Sequence, residues 1–369
     1  GQFLFFDPRL SRDGTVSCAT CHDPGRSFTD GQRLPERFGP RLRHVPSLWN
    51  VAYQRWFFWD GRADSLWSQA LGPLEHPDEH AGTRAQFAAL IASDPPLRRA
   101  YLKVFASLPD VGATPAGIPR DPPDRVLANL GKAIAAYERR LVSRHAPFDT
   151  FAQGLATGDP DKLAALSPSA QRGLRLFVGR AGCRDCHHGP NFTDGEFHDT
   201  GVAALAPTPT PDPGRFAGIA TLLASPFNAL GPYCDDPAGR GTRPTAFLVN
   251  DLDRSGQFKT PTLRNCAVTA PYMHRGQLPT LADVLRFYST LETPSVSPRP
   301  APVPGAPVHT AKAEPARPEP VHTHGQGRER VLVPLHLTPE EAADLEAFLE
   351  SLTDTALDPA LQHPPPTPD

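Results

Sequence analysis

"CATCHDPGRSFTDG" occupies residues 18–31, and "CRDCHHGPNFTDG" occupies residues 183–195. Both run Cys-x-x-Cys-His and then, a few residues on, Phe-Thr-Asp-Gly. The repeat reaches further upstream. Gly1-Gln2-Phe3-Leu4-Phe5 precedes the first copy, and Gly173-Leu174-Arg175-Leu176-Phe177 precedes the second. Each unit reads as a short helix, a Cys-x-x-Cys-His turn and an Asp-Gly turn. Two such units predict two related domains, residues 1–160 and 161–369, divided at the turn-forming stretch Thr157-Gly158-Asp159-Pro160.

Cys-x-x-Cys-His is the attachment signature of a c-type haem. The two thiols add to the two vinyl groups, and the following histidine is placed to ligate the iron. One copy alone would also suit a thioredoxin-like redox pair or half a zinc site. Two copies, each with His directly after the second Cys and each with the same Phe-Thr-Asp-Gly, select two haems. Cys18, Cys21 and His22 would hold the first, and Cys183, Cys186 and His187 the second. Haem attachment of this kind takes place outside the bacterial cytoplasm, so a periplasmic protein is expected. In that compartment Cys234 and Cys266 have two options, a disulfide or two separate buried thiols, and their spacing does not choose between them.

Bulk properties narrow the class. A chain of 369 residues suits two domains, and 39% hydrophobic residues suffice for a proper core. The net charge is −3, with both signs mixed along the chain, which argues against nucleic acid and against an acidic membrane surface as partners. No apolar run approaches the roughly 18 residues that span a bilayer. No signal peptide is visible, and the opening at Gly1 reads as a mature or trimmed form. The 45 prolines gather in local runs, which predicts long loops. Met273 is the one methionine, a scarcity that suits exposure to peroxide.

Helices dominate the rest, and strand-like alternation is scarce, so the fold class is mainly α: two cytochrome c-like domains, each with one covalently bound c-type haem. Val126, Leu127, Leu130 and Ile134 have helical spacing within 122–143. Ser167 can cap the helix leading into the second motif. Thr280 and Asp283 suggest a capping box for a helix over 281–288, with Leu281, Val284, Leu285 and Tyr288 on one face. A last helix begins at Thr338 and turns Leu345, Phe348 and Leu349 inward. Residues 294–328 form a Pro-rich insertion expected to be a mobile loop, and the tail from Asp358 is read the same way. His322 and His324 within the insertion read as solvated, because no further ligands lie nearby.

"LFFDPRLS" (4–11), "PSLWNVAYQRWFFWDGRADSLWSQALGPLEHPDEH" (46–80), "KTPTLRNCAVTAPYMHRG" (259–276) and the two haem motifs together resemble the bacterial dihaem cytochrome c peroxidases and their MauG-like relatives. The resemblance covers nearly the whole chain apart from the insertion. It implies a first haem that reacts with hydrogen peroxide and a second that stores or relays electrons, with a tryptophan between them that matches Trp59. Gln69, Pro73 and Glu79 fall where the family has residues over the first haem. A carboxylate there has a task, because cleaving the O–O bond needs a proton moved from the inner to the outer oxygen. Gln69 can hydrogen-bond the peroxide or a water. Outside that register, Trp59 would read as core packing and Glu79 as a surface carboxylate.

The other ligand of the second haem separates the branches of the family. Peroxidases place Met there, which raises the potential. The matching position here is Tyr288, and Met273 lies too early. Tyrosine resembles MauG and the MbnH type, with MbnH the nearer in the stretches 57–76 and 225–236. An anionic phenolate favours high-valent iron, so that the two haems could share oxidising equivalents as a bis-Fe(IV)-like pair. Peroxidases also carry a loop histidine that caps the first haem until reduction. Residues 31–46 offer only His44 for this, and the first haem is read as open. Calcium between the haems is a further family feature, using carbonyls that match Thr269 and Pro271 and an Asn position that falls at His44, a poor ligand for a hard cation.

The expectation is therefore a periplasmic dihaem enzyme that uses hydrogen peroxide to oxidise a tryptophan of a partner protein, with electrons leaving near the second haem through Trp49, Trp56 or Trp67. The alternatives are a cytochrome c peroxidase fed by a small redox protein, with Met273 as ligand, and a plain electron-transfer dihaem cytochrome.

Overall fold

The computed structural model describes residues 1–34, 43–111, 115–203, 211–236, 239, 243–293, 332–354 and 358–367. The Pro-rich insertion at 294–328, with His322 and His324, lies outside the described residues. The fold is mainly helical. In order, the helices are α1 (Gln2–Phe6), α2 (Cys18–Cys21), α3 (Leu66–Glu75), α4 (Arg84–Ser93), α5 (Pro95–Phe105), α6 (Pro123–Glu138), α7 (Pro147–Thr157), α8 (Pro160–Leu163), α9 (Pro168–Val178), α10 (Arg215–Ala224), α11 (Arg243–Ala246), α12 (Leu281–Thr290) and α13 (Pro339–Glu350). Two minimal sheets complete it. A parallel pair joins β1 (Leu108–Pro109) to β2 (Arg120–Asp121), and an antiparallel pair joins β3 (Phe197–His198) to β4 (Phe258–Lys259).

Two apolar clusters organise the helices. The first gathers Leu4, Phe5, Phe28, Trp67, Leu127 and Ile134, and is built chiefly from α1, α3, α4 and α6. The second gathers Phe177, Phe192, Leu285, Leu345 and Phe348, from α9, α12 and α13. Phe148 and Phe151 of α7 pack beside this second group. Burying one such phenylalanine contributes about 1.5–3 kcal/mol.

The repeated Gly at the head of each unit has a packing reason. A Cβ at Gly1 would collide with the Ala133 carbonyl of α6, and one at Gly173 with the Asp344 carbonyl of α13. Each unit thus presses a short helix backbone-close against a long one, which only glycine allows.

The predicted caps form. Ser167 accepts the Ala170 N–H at 3.1 Å, Thr280 accepts the Asp283 N–H at 3.1 Å, and Thr338 forms a reciprocal box with Glu341. The helix read over 122–143 ends earlier, at Glu138. Beyond it the chain is claimed by Asn50, whose side chain accepts the Ser143 N–H at 2.9 Å and donates to the Ser143 carbonyl at 3.1 Å. The tail beyond Asp358 also departs from expectation. Leu361 enters the first core at 7% exposure, and its carbonyl accepts the Tyr137 hydroxyl at 2.5 Å.

The second half of the chain also returns to the first. Phe227, after α10, joins the first core. Asp64 accepts the Ala229 N–H at 2.8 Å and the Thr245 hydroxyl at 2.7 Å, and Lys132 pairs with Asp235 at 2.5 Å. Among the described residues no helix is long and apolar enough to cross a membrane.

Candidate functional site

Both motifs open onto one cavity of about 1450 Å³. That exceeds the roughly 300–1,000 Å³ of an ordinary ligand pocket. Cys21 and His22 line it from one unit, and Cys183, Cys186 and His187 from the other. Cys18 is not part of the wall and instead packs against the first core. The residues read as Trp59, Gln69, Pro73, Glu79, Thr269, Pro271 and Tyr288 from the sequence all line the same cavity, as do His44 and Met273.

The motifs fold into single turns. Ser17 and Thr20 make a reciprocal cap around α2, and the His22 N–H donates to the Cys18 carbonyl at 2.9 Å. In the second copy the His187 N–H donates to the Cys183 carbonyl at 2.8 Å. The Phe of each Phe-Thr-Asp-Gly then has a double role. Its ring enters the core, Phe28 beside Phe5 and Phe192 beside Phe177. Its carbonyl meets the motif histidine, at 2.9 Å from His22 Nδ1 to Phe28 and 3.0 Å from His187 Nδ1 to Phe192. A carbonyl can only accept, so Nδ1 carries the proton and Nε2 keeps its lone pair for a metal. Burial holds both imidazoles below their ordinary value, which keeps them neutral. The backbone at Phe28 and Phe192 is left-handed in both copies, at φ 58° and 50°. This role was not read from the sequence, although the repeated Phe at near-equal spacing was its signal.

The thiol chemistry fits haem attachment better than a redox pair. None of the six cysteines forms a disulfide, Cys234 and Cys266 included, so the disulfide option is not taken up. Cys266 is buried against the Leu349 carbonyl. Burial raises Cys18 above its ordinary value and pushes Cys183 up to about 11, whereas redox-active thiols are depressed. Thiols held in no disulfide, neutral imidazoles with an unprotonated Nε2 and the large shared cavity all suit an iron macrocycle at each motif.

Trp59 stands at the tip of a tight loop. The Phe57 N–H donates to the Ala63 carbonyl at 2.9 Å, and Gly61 turns the chain at φ 66°. A side chain at Gly61 would meet Arg215 and Phe197. The Trp59 indole N–H donates to the His44 carbonyl at 2.8 Å, and its own carbonyl accepts the Lys259 N–H of β4 at 2.8 Å. Trp59 is thereby tied to both halves of the chain. Beside it, Asp60 pairs with Arg43 at 2.6 Å and with Arg62 at 3.1 Å, and Arg43 also pairs with Asp212 at 2.8 Å.

Gln69 and Pro73 lie four residues apart on α3, hence on one face. Pro73 has no N–H to give the Gln69 carbonyl. Glu79 follows in the turn after α3, its N–H donating to the His76 carbonyl at 3.0 Å. Burial raises the Glu79 carboxyl above its ordinary value, against the opposing pull of His76 and Arg62. His76 Nδ1 lies 3.8 Å from Glu79 Oε1.

Around the second motif, Leu281, Val284, Leu285 and Tyr288 of α12 all reach the cavity. Burial raises the Tyr288 phenol, with Cys183 and Cys186 close enough to add to the effect. His198, unread from the sequence, also lines the cavity. It pairs with Asp194 at 2.8 Å and is pushed up to about 10, by Asp194 first and then Cys186. Trp49, Trp56 and Trp67 are all buried. Trp56 alone among them sits beside β3, with Phe197 at 6.5 Å and the Arg215 guanidinium at 4.5 Å.

Comparison with known proteins agrees with this geometry. The family model described as di-haem cytochrome c peroxidase matches residues 1–157. The methylamine utilization protein MauG of Methylorubrum extorquens is 36% identical over 290 residues, covering 78% of this chain and 67% of that one. Cytochrome-c peroxidase IdrP2 of Pseudomonas sp. strain SCT is 33% identical over 294 residues, 78% of this chain and 72% of that one. A MauG-like protein associated with microbial copper homeostasis has a similar solved structure, with TM-score 0.69 and 26% identity over 99% of this chain and 91% of that one. The chain belongs to the di-haem cytochrome c peroxidase and MauG family. It is a haem-dependent oxidoreductase of the peroxide-using kind.

Proposed function

We propose that the protein is a periplasmic enzyme with two covalent c-type haems, held by Cys18, Cys21 and His22 and by Cys183, Cys186 and His187, that uses hydrogen peroxide to oxidise a tryptophan of a partner protein. The observation that carries this reading is Tyr288, on the cavity face of α12 beside Cys183 and Cys186. A phenolate there would favour oxidised iron, as the MauG-like branch requires. When bound, the haems would supply a peroxide-reactive iron on His22 and a second redox centre between His187 and Tyr288.

The chain's own residues do the rest. Glu79, half-buried in the cavity wall, can take a proton from one oxygen of hydrogen peroxide and return it to the other. The Gln69 amide can hold the peroxide or a water beside it, and Pro73 shapes the same wall. Trp59 lines the same cavity as both motifs, held by the tethers described above, and would couple them. The His44 ring is engaged with the Gln32 carbonyl at 2.9 Å, which supports a first haem left open. Trp56, packed on Phe197 one residue from His198, is the best placed of the three tryptophans to carry electrons outward.

Met273 also lines the cavity, which favours a second reading as a cytochrome c peroxidase fed by a small redox protein. Electronic and EPR spectra of the ferric protein separate the two, wild type beside Tyr288→Phe, before and after one equivalent of peroxide. One high-spin and one low-spin haem, with the low-spin signal altered in the variant, supports the tryptophan-oxidising reading. A methionine–iron band unchanged in the variant overturns it in favour of the peroxidase. Two low-spin haems indifferent to peroxide overturn both.

A further inference from the structure

Residues 46–66, "PSLWNVAYQRWFFWDGRADSL", and residues 261–281, "PTLRNCAVTAPYMHRGQLPTL", are a further element that the two units share. They align without a gap, so that Asn50 falls on Asn265, Gly61 on Gly276 and Leu66 on Leu281. Their backbones agree. Asn50 and Asn265 are left-handed at φ 59° and 60°, and Gly61 and Gly276 at 66° and 61°. Phe57 forms an antiparallel bridge with Ala63, and Tyr272 forms one with Leu278. Ser65 then caps α3, and Thr280 caps α12. Continued along those helices, the register sets Pro73 on Tyr288.

The same register sets Trp59 on His274 and His44 on Lys259. The Lys259 N–H donates to the Trp59 carbonyl at 2.8 Å, and the His44 N–H donates to the His274 carbonyl at 2.9 Å. Each contact is the image of the other, and reciprocal pairs of this kind mark a two-fold relation. Arg43 falls on Phe258, and these two counterparts meet each other, the guanidinium 5.2 Å from the ring centre, which puts them beside the axis. Trp59 and His274 are therefore equivalent positions, and both line the shared cavity.

Their chemistry differs. The His274 ring lies flat on Phe258, with centroids 3.7 Å apart at 10°. Gln277 Oε1 accepts the Arg275 N–H at 2.9 Å, so the Gln277 amide nitrogen, 3.4 Å from His274 Nε2, is the donor and Nε2 the acceptor. The imidazole is neutral, pushed down to about 3 by burial against the pull of Asp212. A neutral imidazole gives up an electron far less readily than an indole.

We propose that the cavity holds two equivalent bridging positions and that His274 makes the second one redox-silent, so that a single route, through Trp59, joins the haems. On that route Trp59 gives an electron to one haem and recovers one from the other. It ends unchanged, with hydrogen peroxide as the only oxidant. The proposal rests on Trp59 coupling the two motifs.

The test uses holoproteins without a partner. EPR after one equivalent of peroxide reads whether the ferric signals of both haems are lost together, and melting temperature reports the fold. Wild type and His274→Phe should lose both signals. Trp59→Phe should lose only the first, and adding His274→Trp to it should bring back loss of the second. Adding the smaller His274→Tyr, also oxidisable, should do the same. A folded His274→Phe variant that keeps the second signal puts the imidazole on the route and overturns the proposal. So does failure of both double variants, once folded, to recover the loss. If neither double variant folds, His274→Phe still decides. A Trp59→Phe variant that behaves as wild type overturns the coupling reading itself, and this proposal with it, before position 274 is touched.

Discussion

Replacing Arg264 with Met removes a buried cation on which the second motif depends. Its guanidinium makes a two-pronged pair with Asp149, 2.9 Å on each side, and its Nε donates to the Pro190 carbonyl at 2.6 Å. It also lies 5.8 Å from the centre of the Phe192 ring. Arg264 thus clamps α7 to the loop whose next carbonyl but one orients His187. The two side chains are 8% and 18% exposed. Breaking a buried pair by removing one partner costs about 3–5 kcal/mol. The residual exposure of Asp149, and its remaining bond from the Ala146 N–H at 3.0 Å, place this case at the low end. At about 3 kcal/mol, and with about 2–4 °C lost per kcal/mol in a unit of this size, the melting temperature should fall by roughly 6–12 °C. Calorimetry of the holoprotein measures that, and EPR should show the second haem's signal broadened while the first is unchanged. Adding Asp149→Asn should recover part of the loss, since the stranded charge is then gone. A fall of less than about 2 °C with both EPR signals intact would refute the clamp.

Three other outcomes follow from geometry already given. Glu79→Gln should slow the reaction of ferric protein with peroxide by about 10²–10⁴-fold, the usual contribution of a proton-transfer group. In stopped flow the wild-type rate should rise with pH as the raised carboxyl ionises, whereas the variant's profile should be flat, and an unchanged rate would remove Glu79 from the chemistry. Burial opposes ionisation of Asp60 and Asp212, but Arg62 and Arg43 outweigh it at Asp60 and Arg43 outweighs it at Asp212, so both carboxyls are held low. Their stabilisation is complete above the ordinary carboxylate value and is lost as pH falls through the lower folded values. Arg43→Met should therefore be less stable at neutral pH and should flatten the acid limb of melting temperature against pH; a parallel limb would count against the network. Gly173→Ala, which forces a methyl against the Asp344 carbonyl, should cost about 1–3 kcal/mol, and a melting curve that overlays the wild type would contradict the close approach of α9 and α13.

Much of the site was readable because haem attachment is a local code. Cys, Cys and His must sit within five residues, so the motifs announce themselves, and the capping residues of α9, α12 and α13 are equally local. Gln69 and Pro73 were placed by the resemblance, and their shared face on α3 came with the structure. What joined Glu79, Trp59 and Tyr288 into one cavity was the resemblance, since nothing local links residue 79 to residue 22. Long-range contacts left no trace of their own. The Asn50–Ser143 pair shortened α6 by hydrogen bonds across 93 residues, and the return of residues 227–245 onto Asp64 and Lys132 has no periodic signature. His198 was missed because its motif copy has no counterpart in the first unit. The Phe28 and Phe192 carbonyls were missed because the repeated Phe-Thr-Asp-Gly was read as a motif and a turn, and a backbone acceptor leaves no mark on residue type.

The tail that packs on the first core bears on the order of assembly. Gln2 donates to the Ala360 and His363 carbonyls at 2.6 and 2.8 Å, and Leu361 closes the group that contains Phe5 and Tyr137. Domains made early in synthesis ordinarily finish folding early. Here the core of the leading unit is closed by Leu361, 224 residues beyond Tyr137, so that unit cannot finish packing until the segment past the second unit has been made. A leading half on its own would therefore keep an open seam beside Phe5 and Tyr137.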